Sequence, residues 1–147
     1  MNISNDSEFK AALSFLSGNT RRMVAARFAE NVLALSQDAR VKSAIESAKR
    51  ADINDAELAT AFQSAKAASV DSYTQCGHEC DWNKQAGHFV AEAALASIKP
   101  PDGSNPAWEA AMHARMARTC ASIAAGNGTH NGEDAAQYRI LDEFLKT

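Results

Sequence analysis

At 147 residues, with 46% hydrophobic and 22% charged side chains, the sequence has the size and composition of one globular domain, 1–147, rather than of a disordered chain. A formal net charge of −3 offers no basic face for a phosphate backbone, so nucleic acid is not an expected partner. The longest apolar runs, such as Ala93-Ala94-Leu95-Ala96, fall far short of the roughly 20 residues that cross a bilayer, so no membrane span is expected.

The first residues, Met1 to Asp6, carry neither a basic region nor an apolar stretch, which argues against a secretion signal. Three cysteines, an odd number, then fit reduced thiols, and a cytoplasmic location is expected. Alanine supplies about a fifth of the residues, well above its usual share. It loses no side-chain entropy in a helix and lets neighbouring helices approach closely. The composition predicts an all-α fold of six to seven helices packed as antiparallel neighbours in a bundle or irregular array.

The first helix is predicted from Asp6 to Ser17, with Asn5 and Glu8 spaced as a capping pair, Gly18 as its stop, and Phe9, Leu13 and Leu16 inward. Thr20 opens a second, with Val24, Phe28, Val32 and Leu35 at helical spacing; Arg21 and Arg22 read as a solvated face. Ser36 or Asp38 caps a third, carrying Val41, Ile45 and Ala48. Asn54 and Glu57 form a second capping box, opening a fourth helix with Leu58, Ala61, Phe62 and Ala65 inward, to about Tyr73. Gly77 breaks the rhythm.

A fifth helix runs to Ile98 with His88, Ala91, Leu95 and Ile98 on one stripe, before the loop Lys99 to Ser104. Asn105-Pro106 caps a sixth, where proline's missing N–H costs nothing, with the stripe Trp108, Met112, Met116, Thr119 and Ile123. After a glycine-rich loop a last helix starts near Glu133 and buries Ile140, Leu141 and Phe144. No strand pattern or regular repeat period is present.

Cys76, His78, Glu79, Cys80, Asp81 and His88 form the richest cluster of chemistry-bearing residues. Thiolates and imidazoles are zinc's preferred ligands, and a closed structural site needs four. No second close-spaced pair completes one, so the expected state of Cys76 and Cys80 is two small buried thiols flanking a helix break, with His78 and Glu79 exposed. No bound zinc, iron or other cofactor is expected. The pairs Glu109/His113 and His88/Glu92 each lie one turn apart, and local support of the helix is expected of them. Carboxylates and imidazoles on facing helices are the alternative, as in metal sites of helix bundles, but glutamate does not stand three residues before histidine in either pair.

His88 directly follows Gly87, where a neighbouring helix could come close enough to offer a backbone carbonyl to a core histidine. Trp82 and Trp108 are expected to pack rather than to anchor a partner. No serine elbow is present, and Gly126-Asn127-Gly128 lacks a P-loop's lysine, so no catalytic residue is assigned and an enzyme is not expected.

Arg27-Phe28-Ala29-Glu30-Asn31-Val32-Leu33, Ala44 to Lys49, Gly87-His88 and Gln137-Tyr138-Arg139-Ile140-Leu141 together resemble a bacterial family of alanine-rich helical proteins assigned as immunity proteins of polymorphic-toxin systems. The matching pieces are scattered through about two-thirds of the chain, and the segment from Asp71 to Lys84 departs from the pattern, being richer in cysteine and polar residues. The resemblance implies an all-helical fold and a protein-binding module that neutralises a protein toxin; it transfers no catalytic residue. The alternative is a small helical protein of unassigned enzymatic or metal-binding function. A homo-oligomer is compatible with either.

Overall fold

A computed structural model describes residues 2–76 and 81–146, and these hold seven α-helices and no strand. They are α1 (Asp6–Ser14), α2 (Gly18–Glu30), α3 (Ala39–Ala48), α4 (Asp55–Cys76), α5 (Trp82–Ile98), α6 (Pro106–Ala124) and α7 (Glu133–Leu145), with a single 3-10 turn at Leu33–Leu35. The all-α reading holds.

Local capping chemistry explains most of the helix starts. Asn5 Oδ1 accepts from Glu8 N at 2.9 Å. Asn54 and Glu57 exchange reciprocal bonds of 2.8 and 3.3 Å, each side chain satisfying a backbone N–H that the first turn leaves free. Asp38 and Asn105 cap α3 and α6. The expected boundary at Gly18 is corrected. α1 stops at Ser14, and Gly18 is the first residue of α2 behind Ser17. The second helix likewise ends at Glu30, and the 3-10 turn carries the chain on to Leu35.

α5 is the central element, packed against α6, α4, α2 and α3, while α1 and α7 lean on α6. Alanine sets this geometry. α5 buries Ala86, Ala91, Ala93, Ala94 and Ala96, and α6 buries Ala107, Ala110, Ala111, Ala114 and Ala117. Small side chains let the two backbones come together, while Ala86 and Ala91 look toward the 3-10 turn, α3 and α4. The stripe of larger side chains on α6 lies at the edge of the core rather than within it. Trp108 and Met112 are half-buried, and Met116 is exposed. Phe62 is also only half-buried, with the Lys66 ammonium 5.9 Å from its ring centre.

The largest buried side chains gather where α1, α2, α6 and α7 meet. Phe9 is fully buried, its ring centre 5.4 Å from Phe28, 5.3 Å from Tyr138 and 6.2 Å from Trp108. A polar network closes over this cluster. Arg115 donates to Gln137 Oε1 at 2.8 Å and to Asp6 at 2.7 and 2.9 Å, and the Tyr138 hydroxyl reaches Asp6 at 2.6 Å. The Ile3 N–H also donates to Asp142, at 3.0 Å.

Arg22, expected on a solvated face, is buried. It donates to the carbonyls of Ala48 at 3.1 Å and Arg50 at 2.5 Å, and to Asn19 Oδ1 at 3.0 Å. Its stem crosses from α2 to the end of α3, where helix carbonyls lack intrahelical donors and the helix dipole favours a cation. Glu133 is buried too, held by Arg118 at 3.1 Å and Asn31 at 2.8 Å.

Candidate functional site

The last turns of α4 and the first half of α5 build a polar rung. Ser69 and Ser72 are spaced so that both look from α4 toward α5, where His88 and Glu92 stand one turn apart. Ser72 Oγ lies 2.8 Å from His88 Nδ1, and His88 Nε2 lies 3.6 Å from Glu92 Oε1. Ser69 Oγ donates to the same Glu92 oxygen, and Ser72 Oγ is 2.8 Å from the Ser69 carbonyl, which competes with the imidazole for its proton. His88 and Glu92 thus lie side by side at a separation too long for the expected hydrogen bond, and the expected carbonyl partner of His88 is corrected. Gly87 faces the Leu35 carbonyl of the 3-10 turn, about 100° around the helix from His88, where an added Cβ would sit at an ordinary 3.5 Å.

Serine, imidazole and carboxylate in sequence also describe a hydrolytic triad. The backbone around Ser72 does not suit that chemistry. Ser72 sits inside α4, whose N–H groups are committed to helix bonds, and acyl transfer requires free donors for an oxyanion. The rung acts as a polar tie between two helices.

The second pair behaves differently. Glu109 turns away from His113 to bind Lys99 Nζ at 2.5 Å, and Lys99 also reaches Asp102 at 2.8 Å. His113 stacks on Phe89 with ring centres 6.3 Å apart, and its buried Nδ1 has no hydrogen-bond partner. Burial pushes its pKa below the ordinary 6.5, opposed by Glu92 and Glu109 and assisted by His88 and Lys99. Below pH 6.5 the unfolded imidazole therefore binds a proton that the folded one refuses. Its contribution to stability is whole above that pH and is lost as pH falls through the folded value, at a limiting slope of about 1.4 kcal/mol per pH unit. Urea unfolding at pH 7.5 and 5.5 is expected to show a smaller acid loss in His113→Gln than in the parent.

Cys76 closes α4 and Asp81 caps α5, while His78, Glu79 and Cys80 lie outside the described residues. Among the described residues no group of three or more His, Cys, Asp or Glu could hold a metal ion. Cys120 is buried, which raises its thiol pKa.

Behind the rung opens a cleft of about 980 Å³, walled by the 3-10 turn and the start of α3, the end of α4 and the first turns of α5. Its wall includes Ala34, Ala39, Ala68, Ala86, Gly87 and Ala91, and the lack of bulk at these positions leaves the space open. Among the described residues its ionisable lining is Asp38, Asp71, Asp81, Lys84 and His88, with Ser72 and Gln75 between. Arg40 bridges Asp38 and Asp71 at 2.7 and 2.9 Å, and its guanidinium holds the Asp38 carboxyl below the usual range. Sequence reasoning missed Ser69, Ser72 and Gln75. The available signal was polar residues at positions 69 and 72, continuing the inward spacing of Ala65 and Ala68.

Both tryptophans were expected to pack. Trp108 does, half-buried against Phe9 with Lys10 Nζ 4.9 Å from its ring centre, whereas Trp82 is 45% exposed. Comparison of the chain with protein-family models, curated proteins and solved structures finds no match.

Proposed function

We propose that this chain is a protein-binding module that receives a basic loop of its partner in the cleft beside α4 and α5. The carrying observation is the open 980 Å³ volume whose described lining sets Asp38, Asp71 and Asp81 against Lys84. Asp38 and Asp71 already share Arg40 at the rim, so the attraction is moderate and acts mainly on the association rate. The resemblance adds the identity of the partner class, a protein toxin neutralised by occupation of its surface. A nuclease suits this reading, because the face that attracts phosphate is basic. The runner-up is a helical protein of enzymatic or metal-binding function.

The test is co-expression with a toxin encoded beside this chain, scored by survival and by affinity at two salt concentrations. Gln75→Lys, which brings a cation into the cleft, is expected to weaken binding about tenfold at low salt, and Lys84→Glu to strengthen it a few-fold. Both effects should shrink as salt rises. Absence of an adjacent toxin, or failure to bind and rescue, removes the immunity reading; equal affinity of the two variants removes the cleft as its site.

A further inference from the structure

We propose that His88 makes the cleft a proton-gated site, whose hold on a basic loop weakens as pH falls because the imidazole takes a proton from solvent and becomes a further cation in the cleft wall. The inference deepens the reading of the cleft as the seat of a basic loop and rests on it. His88 belongs at once to the cleft wall and to the rung between α4 and α5, and its side chain is 15% exposed, so solvent protons reach it. From α4 it meets Ser72 and, at 5.8 Å between ring centres, Tyr73; from α6 it meets His113 across the Phe89 ring. On its own helix Glu92 lies 3.6 Å from Nε2, and Lys84 stands one turn earlier in the cleft wall. Asp38 at the start of α3, Asp71 of α4 and Asp81 are the other charged groups of the described lining.

The rung accepts that proton with no more than the rotation of a hydroxyl. Ser72 has one hydroxyl proton and two places for it, the Ser69 carbonyl and His88 Nδ1, each 2.8 Å away. A neutral ring with its proton on Nε2 draws the Ser72 proton to Nδ1. A second ring proton makes Nδ1 a donor to Ser72 Oγ, and the hydroxyl turns its own proton to the Ser69 carbonyl. Nε2–H then faces the Glu92 carboxylate, which keeps its bond from the Ser69 hydroxyl. In the described lining, Asp38, Asp71 and Asp81 are now set against two cations instead of Lys84 alone, while Glu92 lies outside that lining and offsets only part of the new charge. Asp38 and Asp71 already share Arg40, so one further cation removes much of the attraction that remains. Histidine is the side chain that changes charge between pH 5 and 8. Linkage makes the effect reciprocal: a bound cation opposes the proton as strongly as the proton opposes the cation.

A tri-arginine peptide blocked at both ends probes the cleft, since its guanidinium groups stay charged throughout the range tested. At constant ionic strength the parent chain is expected to bind it about fivefold less tightly at pH 5.5 than at pH 7.5, the effect of one added charge at close range in a watery cleft. His88→Gln, which keeps an amide for Ser72 and cannot take a charge, should bind the peptide equally at the two pH values. His113→Gln, beyond Phe89 and outside the described lining, should keep the parent's fall. The parent chain also gives a readout that needs no variant. Followed by NMR, the His88 ring nitrogens should titrate about 0.7 pH unit lower with saturating peptide, the logarithm of the same fivefold factor. Equal parental affinity at the two pH values, a fall that survives His88→Gln, or a His88 titration unmoved by the peptide overturns the gate. Peptide binding indifferent to Gln75→Lys and Lys84→Glu removes the cleft as the site and the gate with it, whereas binding that answers to those two variants and ignores pH removes the gate alone.

Discussion

Phe9→Ala is expected to destabilise the fold by about 3–5 kcal/mol, the range for removing a fully buried aromatic ring from a core. Phe9 has no exposed surface, and its ring touches Phe28, Tyr138 and Trp108 across three other helices. The Arg115 guanidinium lies 5.6 Å from the same ring and is anchored by Asp6, so the cavity cannot close by a simple shift of α1. Urea unfolding followed by circular dichroism measures the loss as a lower midpoint at unchanged slope. Trp108 fluorescence should report the same transition, since that indole packs on the deleted ring. A loss under about 1 kcal/mol would mean that α1 is a peripheral element rather than part of the core.

The second large effect is expected at Arg22. Arg22→Met keeps an apolar stem across the α2–α3 contact and removes the donors to the Ala48 and Arg50 carbonyls. Hydrogen bonds from a charged group, and the acceptors left behind, place the expected cost at about 2–3 kcal/mol. Burial depresses the pKa of this guanidinium, yet arginine remains charged at any ordinary pH, so the cost should not change between pH 6 and 9. Hydrogen exchange should locate the damage at the end of α3 and the following turn, while α6 and α7 keep their protection. Uniform loss across the chain would contradict a local capping role.

The elements most legible in the sequence were those set by neighbours in the chain. Asn54 with Glu57 and Asn105 with Pro106 mark helix starts by chemistry confined to four residues, and both are in place. Arg22 was not legible, because nothing local tells that the carbonyls of Ala48 and Arg50 end beside it. The core-facing stripe of α6 was not legible for a different reason. Periodicity counts large apolar residues, so the stripe it marks on α6 is Trp108, Met112 and Met116. Close approach to α5 instead rewarded the smaller stripe of Ala107, Ala110, Ala114 and Ala117. The same exchange gave the candidate surfaces their character. Trp82, expected to pack, is exposed, and small side chains that leave space line the cleft. Ser72 against His88 was out of reach, since the contact depends on how α4 and α5 turn relative to each other.

The bonds from Ile3 to Asp142 and from Asp6 to Arg115 and Tyr138 have a consequence for how the chain is made. Synthesis delivers the first helix before any of these partners exists. α1 is a nine-residue helix, too short to be stable alone, and its inward ring waits for residues made more than a hundred positions later. A helix made before its partners is thus among the last to settle. Until α6 and α7 arrive, Phe9 has Phe28 but neither Trp108 nor Tyr138 against its ring, and that side stays open apolar surface, the kind a chaperone holds.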